Sequence, residues 1–550
     1  MGKKNTHLGL SGQFSVSFFM VLSATALSVV FSFRLASTPA SLFWQLILSL
    51  SILIILQLRF NFIAWIQDSV SVFHKRLALV FSMLTVLRLI LNALSFLTMW
   101  IEKNPTVPFE LSAIRIIVIL FSVLAFPFLT LAYGWVFHTV FPIIKNFIKS
   151  LNPIEAGCLI IASGIFLILI AFAFNLTTVF THPTYNGKTI LVDVVYISDS
   201  PNHLITDVFF NVGARENDLR QPLYALLSMP ISIIAWSIGK ILFFIPNAYA
   251  LLIQSLQVTL LPVLAILLSR ILKLKDWAQM LFIIMVLSTF PVLLFSITIE
   301  QYIIPTFLLI VFVMAVLQDS RSLTSYFILS TGSIITSGFL FPLLTKARKF
   351  KNWFMDLFKD FIKLVIVLIL AGQFHLLYFI AAPYQKMESL VPLYRTFEDK
   401  LFQYLTFVAS CFVFPASHLD TTTYSYPSYQ QTVITSPSIL GILILCAALI
   451  GFIVSRKEKI AKISLAWILI SYLILGLVGW GTLENGLVLY ILYFSWPFFV
   501  LIAKAYLWGL RWWPKTRIVL ACGVIAGLLF VNFNGLWDLI RFGIEHYPVG

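Results

Sequence analysis

Between Asp193 and Arg220 the chain gathers Asp193, Asp199, Asp207, Asp218, Glu216, Arg215, Arg220 and His203, in a sequence of which only 11% is charged. Asp199 and Asp218 stand in segments that also carry Val, Tyr, Ile, Leu and Pro. A carboxylate at such a partly dry rim can take the proton of a hydroxyl, provided it stays ionised and within hydrogen-bond reach. Arg215 and Arg220 supply the planar fork of donors that fits a phosphate. More cations, Lys386, Arg395 and Lys400, lie in a later polar stretch with His418 and Asp420, and Glu300 and Glu484 sit in short turns. For any one of these residues, ordinary solvation of a loop is the plainer account; acids and arginines together are what suggest chemistry on a phosphate-bearing substrate.

Other chemistries find less material. His138, His203, His375 and His418 have no ligand spacing. A hard cation on Asp199, Asp218 or Glu300 is compatible with the residues, since Mg²⁺ needs few protein oxygens. No glycine-rich phosphate loop and no nucleotide-binding domain is legible, so an activated donor would be lipid-linked or arrive from outside. Cys158, Cys411, Cys446 and Cys522 lie in or beside apolar segments without metal or redox spacing, which reads as core packing.

The elements that carry this stretch are membrane helices. The chain has 550 residues, 60% of them hydrophobic, including 52 Phe and 14 Trp, and its mean hydropathy is +0.97. Apolar runs long enough to cross a hydrocarbon core of about 30 Å recur throughout. The alternating ten-residue segments of a β-barrel are missing. The fold class is an all-α polytopic membrane protein. A net charge of +15 is no nucleic-acid signal here: most Lys and Arg fall in short loops on one side, the positive-inside bias of the cytoplasmic face.

Spans are expected at about 13–33, 41–58, 77–100 and 112–141, an N-terminal four-span extension over residues 1–150. Lys3 and Lys4 put the N-terminus in the cytoplasm, and the first run reads as a retained span, not a cleaved signal. Residues 59–76 read as an interfacial amphipathic helix. Arg88, inside the third span, must face other helices or a polar partner. The main module, 151–550, opens with a span at about 156–177 leading to an outer loop at 178–222. Further spans are expected at about 248–269, 278–297, 302–318, 361–382, 439–455, 461–479, 486–507 and 516–533, with a second large outer loop at 383–438. Crossing parity demotes two apolar segments. Residues 223–245, with Pro230 and Lys240, are expected in the interface. Residues 323–344, with Ser330-Thr-Gly332 and Thr336-Ser-Gly338, are expected to enter and return, which is tolerated only beside protein or a water-filled cavity.

This arrangement resembles the GT-C class of membrane glycosyltransferases, which includes the protein O-mannosyltransferases and aminoarabinose transferases. Asp199-Ser200 stands where that class has an Asp-Glu pair, and Asp218-Leu-Arg220-Gln-Pro222-Leu223 stands where it has Asp-x-His-Pro-Pro-Leu before an interfacial helix. Ser200 replaces the second acid, and Arg220-Gln221 replaces His-Pro. The resemblance covers about residues 156–350 and implies a GT-C-like helical module with large outer loops and an interfacial helix. It also implies transfer of a sugar from a polyprenyl-phosphate-linked donor to a hydroxyl of a lipid, glycan or protein acceptor. The reaction would take place at the outer face of a multi-pass plasma-membrane protein of the cell envelope. Asp199 and Asp218 would be catalytic; Arg220, Pro222, Arg215, Glu300, Lys386 and Arg395 would bind substrate. The competing expectation is a lipid or solute transporter or flippase, but such proteins place charge near the bilayer midplane, and here it gathers at one rim.

Overall fold

The computed structural model describes residues 73–103, 143–190, 194–196, 221–245, 247–320, 323–344, 350–370, 396–432, 436–479 and 486–549, with six further positions between 126 and 137. The first two expected spans, nearly all of the fourth, residues 59–72 of the amphipathic segment 59–76, and residues 371–382 lie outside these. In chain order the helices are α1 (Phe73–Lys103), α2 (Pro153–Leu176), α3 (Tyr224–Ile241), α4 (Ala248–Val258), α5 (Leu260–Ile271), α6 (Asp276–Leu287), α7 (Phe290–Ile297) and α8 (Ile303–Leu317). They continue with α9 (Leu323–Ser333), a 3-10 helix (Ile335–Leu344), α10 (Phe350–Leu370), α11 (Phe397–Ser410), α12 (Ile439–Ser455), α13 (Lys459–Ser471), α14 (Ile491–Gly509) and α15 (Pro514–His546). The strands form two small antiparallel hairpins: β1 (Thr184–Tyr185) with β2 (Lys188–Thr189), and β3 (Ser417–Asp420) with β4 (Ser428–Gln431).

The protein is membrane-embedded. Among the described residues five helices are long and apolar enough to cross a bilayer: Pro153–Leu176, Ala248–Ile271, Lys459–Val478, Leu487–Gly509 and Pro514–His546. In α2 only 22% of the most apolar window is buried in protein, and Ile160, Ile161, Ile165 and Ile168 point outward. A helix in water would be polar on that face. Many Ser and Thr hydroxyls are instead turned inward and bonded to carbonyls of their own helices. Ser288 donates to the Ile284 carbonyl and Thr306 to the Tyr302 carbonyl, both at 2.7 Å. This is what a medium without water demands.

The contacts divide the chain into two units. The first holds the described residues of Met1–Ser150, Thr206–Ser237 and Ser320–Leu377; the second holds those of Leu151–Ile205, Ile238–Asp319 and Tyr378–Gly550. In the first, α1 packs Ala78 and Val86 against Leu129, Tyr133 and Ile233. Arg88 is buried there, as its place in a span requires: Nη1 donates to the Ser232 carbonyl at 3.2 Å, and the guanidinium lies 5.2 Å from the Trp236 ring.

The segment 323–344 is not one straight helix. It breaks at Ile334 into α9 and the 3-10 helix, and Ser330 Oγ donates to Ser337 Oγ at 3.0 Å across the break. Gly338 permits the fold-back, since a Cβ there would lie 3.2 Å from the Thr331 methyl.

In the second unit, two expected spans differ in shape. Residues 278–297 form a bent pair, α6 and α7, at 57°. Pro291 in the first turn of α7 has no N–H to continue the helix before it. The last helix runs beyond 533 to His546, because Leu536, Leu539, Ile540 and Phe542 continue a buried stripe while Arg541 pairs with Glu545 on the exposed side. The expected spans at 302–318 and 439–455 are helices of 15 and 17 residues. Of the cysteines, Cys411 is core, whereas Cys446 and Cys522 are exposed, against the expectation of packing; they sit on apolar helix faces that point away from the protein.

Candidate functional site

Of the residues expected to do chemistry, Pro222 and Glu300 are described; Asp199, Asp218, Arg215, Arg220, Lys386 and Arg395 lie outside the described residues. Both flanks of the stretch 197–220 are nevertheless in view, each in its own unit.

The N-terminal flank belongs to a layer of loops at one end of the second unit. Tyr196 N–H donates to the Tyr429 carbonyl and Tyr429 N–H to the Val194 carbonyl, both at 2.8 Å. Tyr196 is buried against Phe290, Phe414 and Tyr429, and its hydroxyl lies 3.1 Å from Ser417 Oγ. Its φ of 57° is left-handed, an outlier for an aromatic residue that persists only where packing over-determines it. The chain is thus gripped three positions before Asp199. The rest of the layer ties together distant parts of the sequence. Thr177 Oγ1 donates to the Tyr547 carbonyl at 2.8 Å, and Thr178 N–H to the same oxygen at 2.9 Å. Burial raises the phenols of Tyr196, Tyr429 and Tyr547 above their ordinary range, so they stay protonated donors. At the tip of the second hairpin, bonds from Thr423 and Thr422 hold the Asp420 carboxyl well below the usual carboxylate range.

The C-terminal flank belongs to the first unit. Gln221, Pro222, Leu223 and Tyr224 are all buried, and Leu223 N–H donates to the Gly332 carbonyl at 2.6 Å. A Cβ on Gly332 would come within 2.2 Å of Leu223 Cδ1. The segment 323–344 therefore makes the seat on which the Pro222-Leu223 step rests. That seat is polar inside: Ser330, Thr331, Ser333 and Ser337 are buried, with Ser333 Oγ donating to the Ser330 carbonyl at 2.8 Å and Ser337 Oγ to Thr331 Oγ1 at 3.4 Å. From this seat α3 runs 18 residues with Pro230 inside it.

Glu300 lies in the turn between α7 and α8, where the sequence places it, but it is 3% exposed and not on an open rim. Beside it, Tyr302 packs on Tyr490 and Tyr493. Gln254 caps the end of α7 by donating to the Phe295 and Ser296 carbonyls at 2.8 and 3.0 Å. Among the described residues no three His, Cys, Asp or Glu converge on a point where a metal could sit.

Sequence reasoning missed Glu155. Its carboxylate is buried and receives Arg270 Nε at 2.7 Å, Arg270 Nη2 at 2.6 Å, Gln279 Nε2 at 2.8 Å and the Asn152 N–H at 3.1 Å. The signal was the capping box Asn152-x-x-Glu155 ahead of an apolar run. Other ion pairs of the second unit join segments read as cytoplasmic: Lys459 to Asp319 at 3.1 Å and Lys504 to Glu458 at 2.7 Å. Basic loops meet basic loops, and the loops read as outer meet one another in the layer around Tyr196. Compared with protein-family models, with curated proteins and with solved structures, the chain matches none.

Proposed function

We propose that this protein is a GT-C-type membrane glycosyltransferase. It moves a sugar from a polyprenyl-phosphate-linked donor to an acceptor hydroxyl on the outer face of the plasma membrane, with an N-terminal extension of four spans before the catalytic module. Asp199 takes the hydroxyl proton as the acceptor oxygen bonds to the sugar's anomeric carbon. The bond from that carbon to the phosphate oxygen breaks, and the lipid phosphate departs toward Arg220, Arg215 and the outer-loop cations Lys386 and Arg395. Asp218, two positions from Arg220, orients that arginine. Pro222 fixes the chain beside it, and Glu300 belongs to the substrate-binding set.

The observation that carries this reading is that both described flanks of the acidic stretch are fixed, each within its own unit. Tyr196 is locked to Tyr429, and Leu223 is locked to Gly332. A loop that is polar only because water solvates it needs neither clamp. A base must be positioned before it can act.

The test is transfer of labelled sugar from a polyprenyl-phosphate donor by the purified protein. Asp199→Asn is expected to lower transfer by about 10²–10⁴-fold while donor binding is retained. Arg220→Ala is expected to weaken donor binding as well, because a phosphate loses its fork of donors. Normal transfer in Asp199→Asn with none in Asp218→Asn would exchange the two roles. Lipid or solute movement without sugar transfer would give the chain to the transporters.

A further inference from the structure

At the end of the second unit remote from the Tyr196 layer, an apolar groove of about 360 Å³ runs between α6, the last two turns of α14 and the first three turns of α15. Its walls are residues such as Leu281, Met285, Leu507, Ile518, Ala521 and Val524, and Lys275, Asp276, Tyr506 and Arg517 also line it.

Three features say what would fill it. The first is depth. The α15 lining runs from Pro514 to Ile525, which at about 1.5 Å per residue is roughly 16 Å. That is about half of a hydrocarbon core of about 30 Å, the reach of one leaflet. The second is level. Trp277, Trp508, Trp512 and Trp513 are exposed around this end of the helices, and Arg511 lies 5.0 Å from the Trp512 ring and 5.6 Å from that of Trp508. Exposed tryptophans with arginine mark the water–lipid boundary. The third is charge. Lys275 and Arg517 outnumber the one carboxylate, Asp276, in the lining. Lys273, Arg511 and Lys515 stand nearby in the sequence and are exposed.

We infer that this groove is a binding site for an anionic phospholipid of the leaflet at the basic end, with one acyl chain between α6, α14 and α15 and the phosphate near Lys275 and Arg517. The site is separate from the loops of the proposed transfer reaction, so either idea can fail alone. An acyl chain gains the apolar contact that the open groove lacks, and a basic rim favours a phosphate by electrostatics that fade within a Debye length.

Native mass spectrometry after exchange into mixed phosphatidylglycerol and phosphatidylcholine nanodiscs tests this. The intact wild-type chain is expected to retain one phosphatidylglycerol in preference to phosphatidylcholine by about tenfold or more. The pair Lys275→Gln/Arg517→Gln, at an exposed and a half-buried position, removes both charges while keeping polar side chains of similar reach, and its preference is expected to fall to near one. Ala521→Trp fills the groove and is expected to remove the retained lipid of either kind. Equal retention of the two lipids by the wild type would overturn the proposal and leave an acyl slot without headgroup recognition. Unchanged preference in the double glutamine variant would place the lipid elsewhere and overturn it too. That variant decides the matter even if Ala521→Trp does not fold.

Discussion

At the scale of single residues, the second unit relies on a few buried polar groups that each bond to several partners. Glu155 is the clearest case. It begins α2, where the helix dipole favours an anion, and Arg270 ends α5, where it favours a cation. The carboxylate is 3% exposed and the guanidinium 26%. Removing one member of such a pair leaves the other charge stranded, whereas removing both leaves only packing to repair. Glu155→Gln is therefore expected to cost about 3 kcal/mol, and Glu155→Met/Arg270→Met clearly less. Thermal unfolding of the purified protein reads both; a double variant as unstable as the single would mean that shape, not charge, is at stake. Asn532 plays a comparable part within α15. It donates to the Ser288 carbonyl at 2.8 Å and the Phe412 carbonyl at 2.7 Å, and accepts from Phe414 N–H at 2.7 Å. The break between α6 and α7 thereby has its exposed backbone satisfied by another helix.

At the scale of elements, close approach depends on a few glycines, and their neighbours set how much each matters. On α12, Gly441, Ile444, Ala448, Gly451 and Ser455 form the buried stripe. A Cβ on Gly451 would lie 1.9 Å from the Leu501 carbonyl oxygen, and one on Gly441 2.0 Å from that of Leu405. Small residues at this spacing let helix backbones touch, which is how helices associate where lipid offers no hydrophobic drive. At Gly332 the obstacle is instead the side chain of Leu223, whose outer carbons can turn away while its Cβ, 2.9 Å off, can move only with the backbone. Gly451→Ala is therefore expected to cost about 3 kcal/mol or more, and Gly332→Ala nearer 1 kcal/mol, the upper and lower ends of overpacking. Melting temperatures in one detergent would show the order, and a reversed order would mean that the Pro222-Leu223 seat is the more rigid contact. Proline works in the opposite sense. Pro497 inside α14 has no N–H for the Tyr493 carbonyl, and Trp467 Nε1 from α13 donates to it at 2.9 Å.

At the scale of the molecule, the second unit sorts its connections by end: basic segments with Asp319 and Glu458 on one side, the two hairpins and Tyr547 on the other. With the basic end in the cytoplasm, a cysteine at Ser425 is expected to react with an impermeant thiol reagent in intact cells, and one at Lys457 is not. Both residues are exposed. Ser428, three positions away in the same polar loop, is 0% exposed and would be a misleading probe. Labelling at Lys457 but not at Ser425 would invert the protein in the membrane.

Hydropathy and the lysine and arginine asymmetry were enough to read a polytopic helical membrane protein, because a span must be apolar whatever it packs against. Parity in the same sequence set 323–344 apart as a segment that enters and returns, and the chain there does break, at Ile334; the confinement of Arg88 to a span required the partner it has in Ser232. Other features were decided only in three dimensions. The clamp of Tyr196 on Tyr429 joins residues more than two hundred positions apart through two backbone hydrogen bonds, which any residue type can make. The break between α6 and α7 had a local cause at Pro291, but its angle of 57° is seen only in the folded chain. Glu155, Gln279 and Asn532 looked like ordinary polar residues until tertiary contacts gave each its partners. Apolar patterning is a property each segment carries alone, so it survives in the sequence. The pairing of polar groups belongs to two segments at once, and only the folded chain brings the second one near.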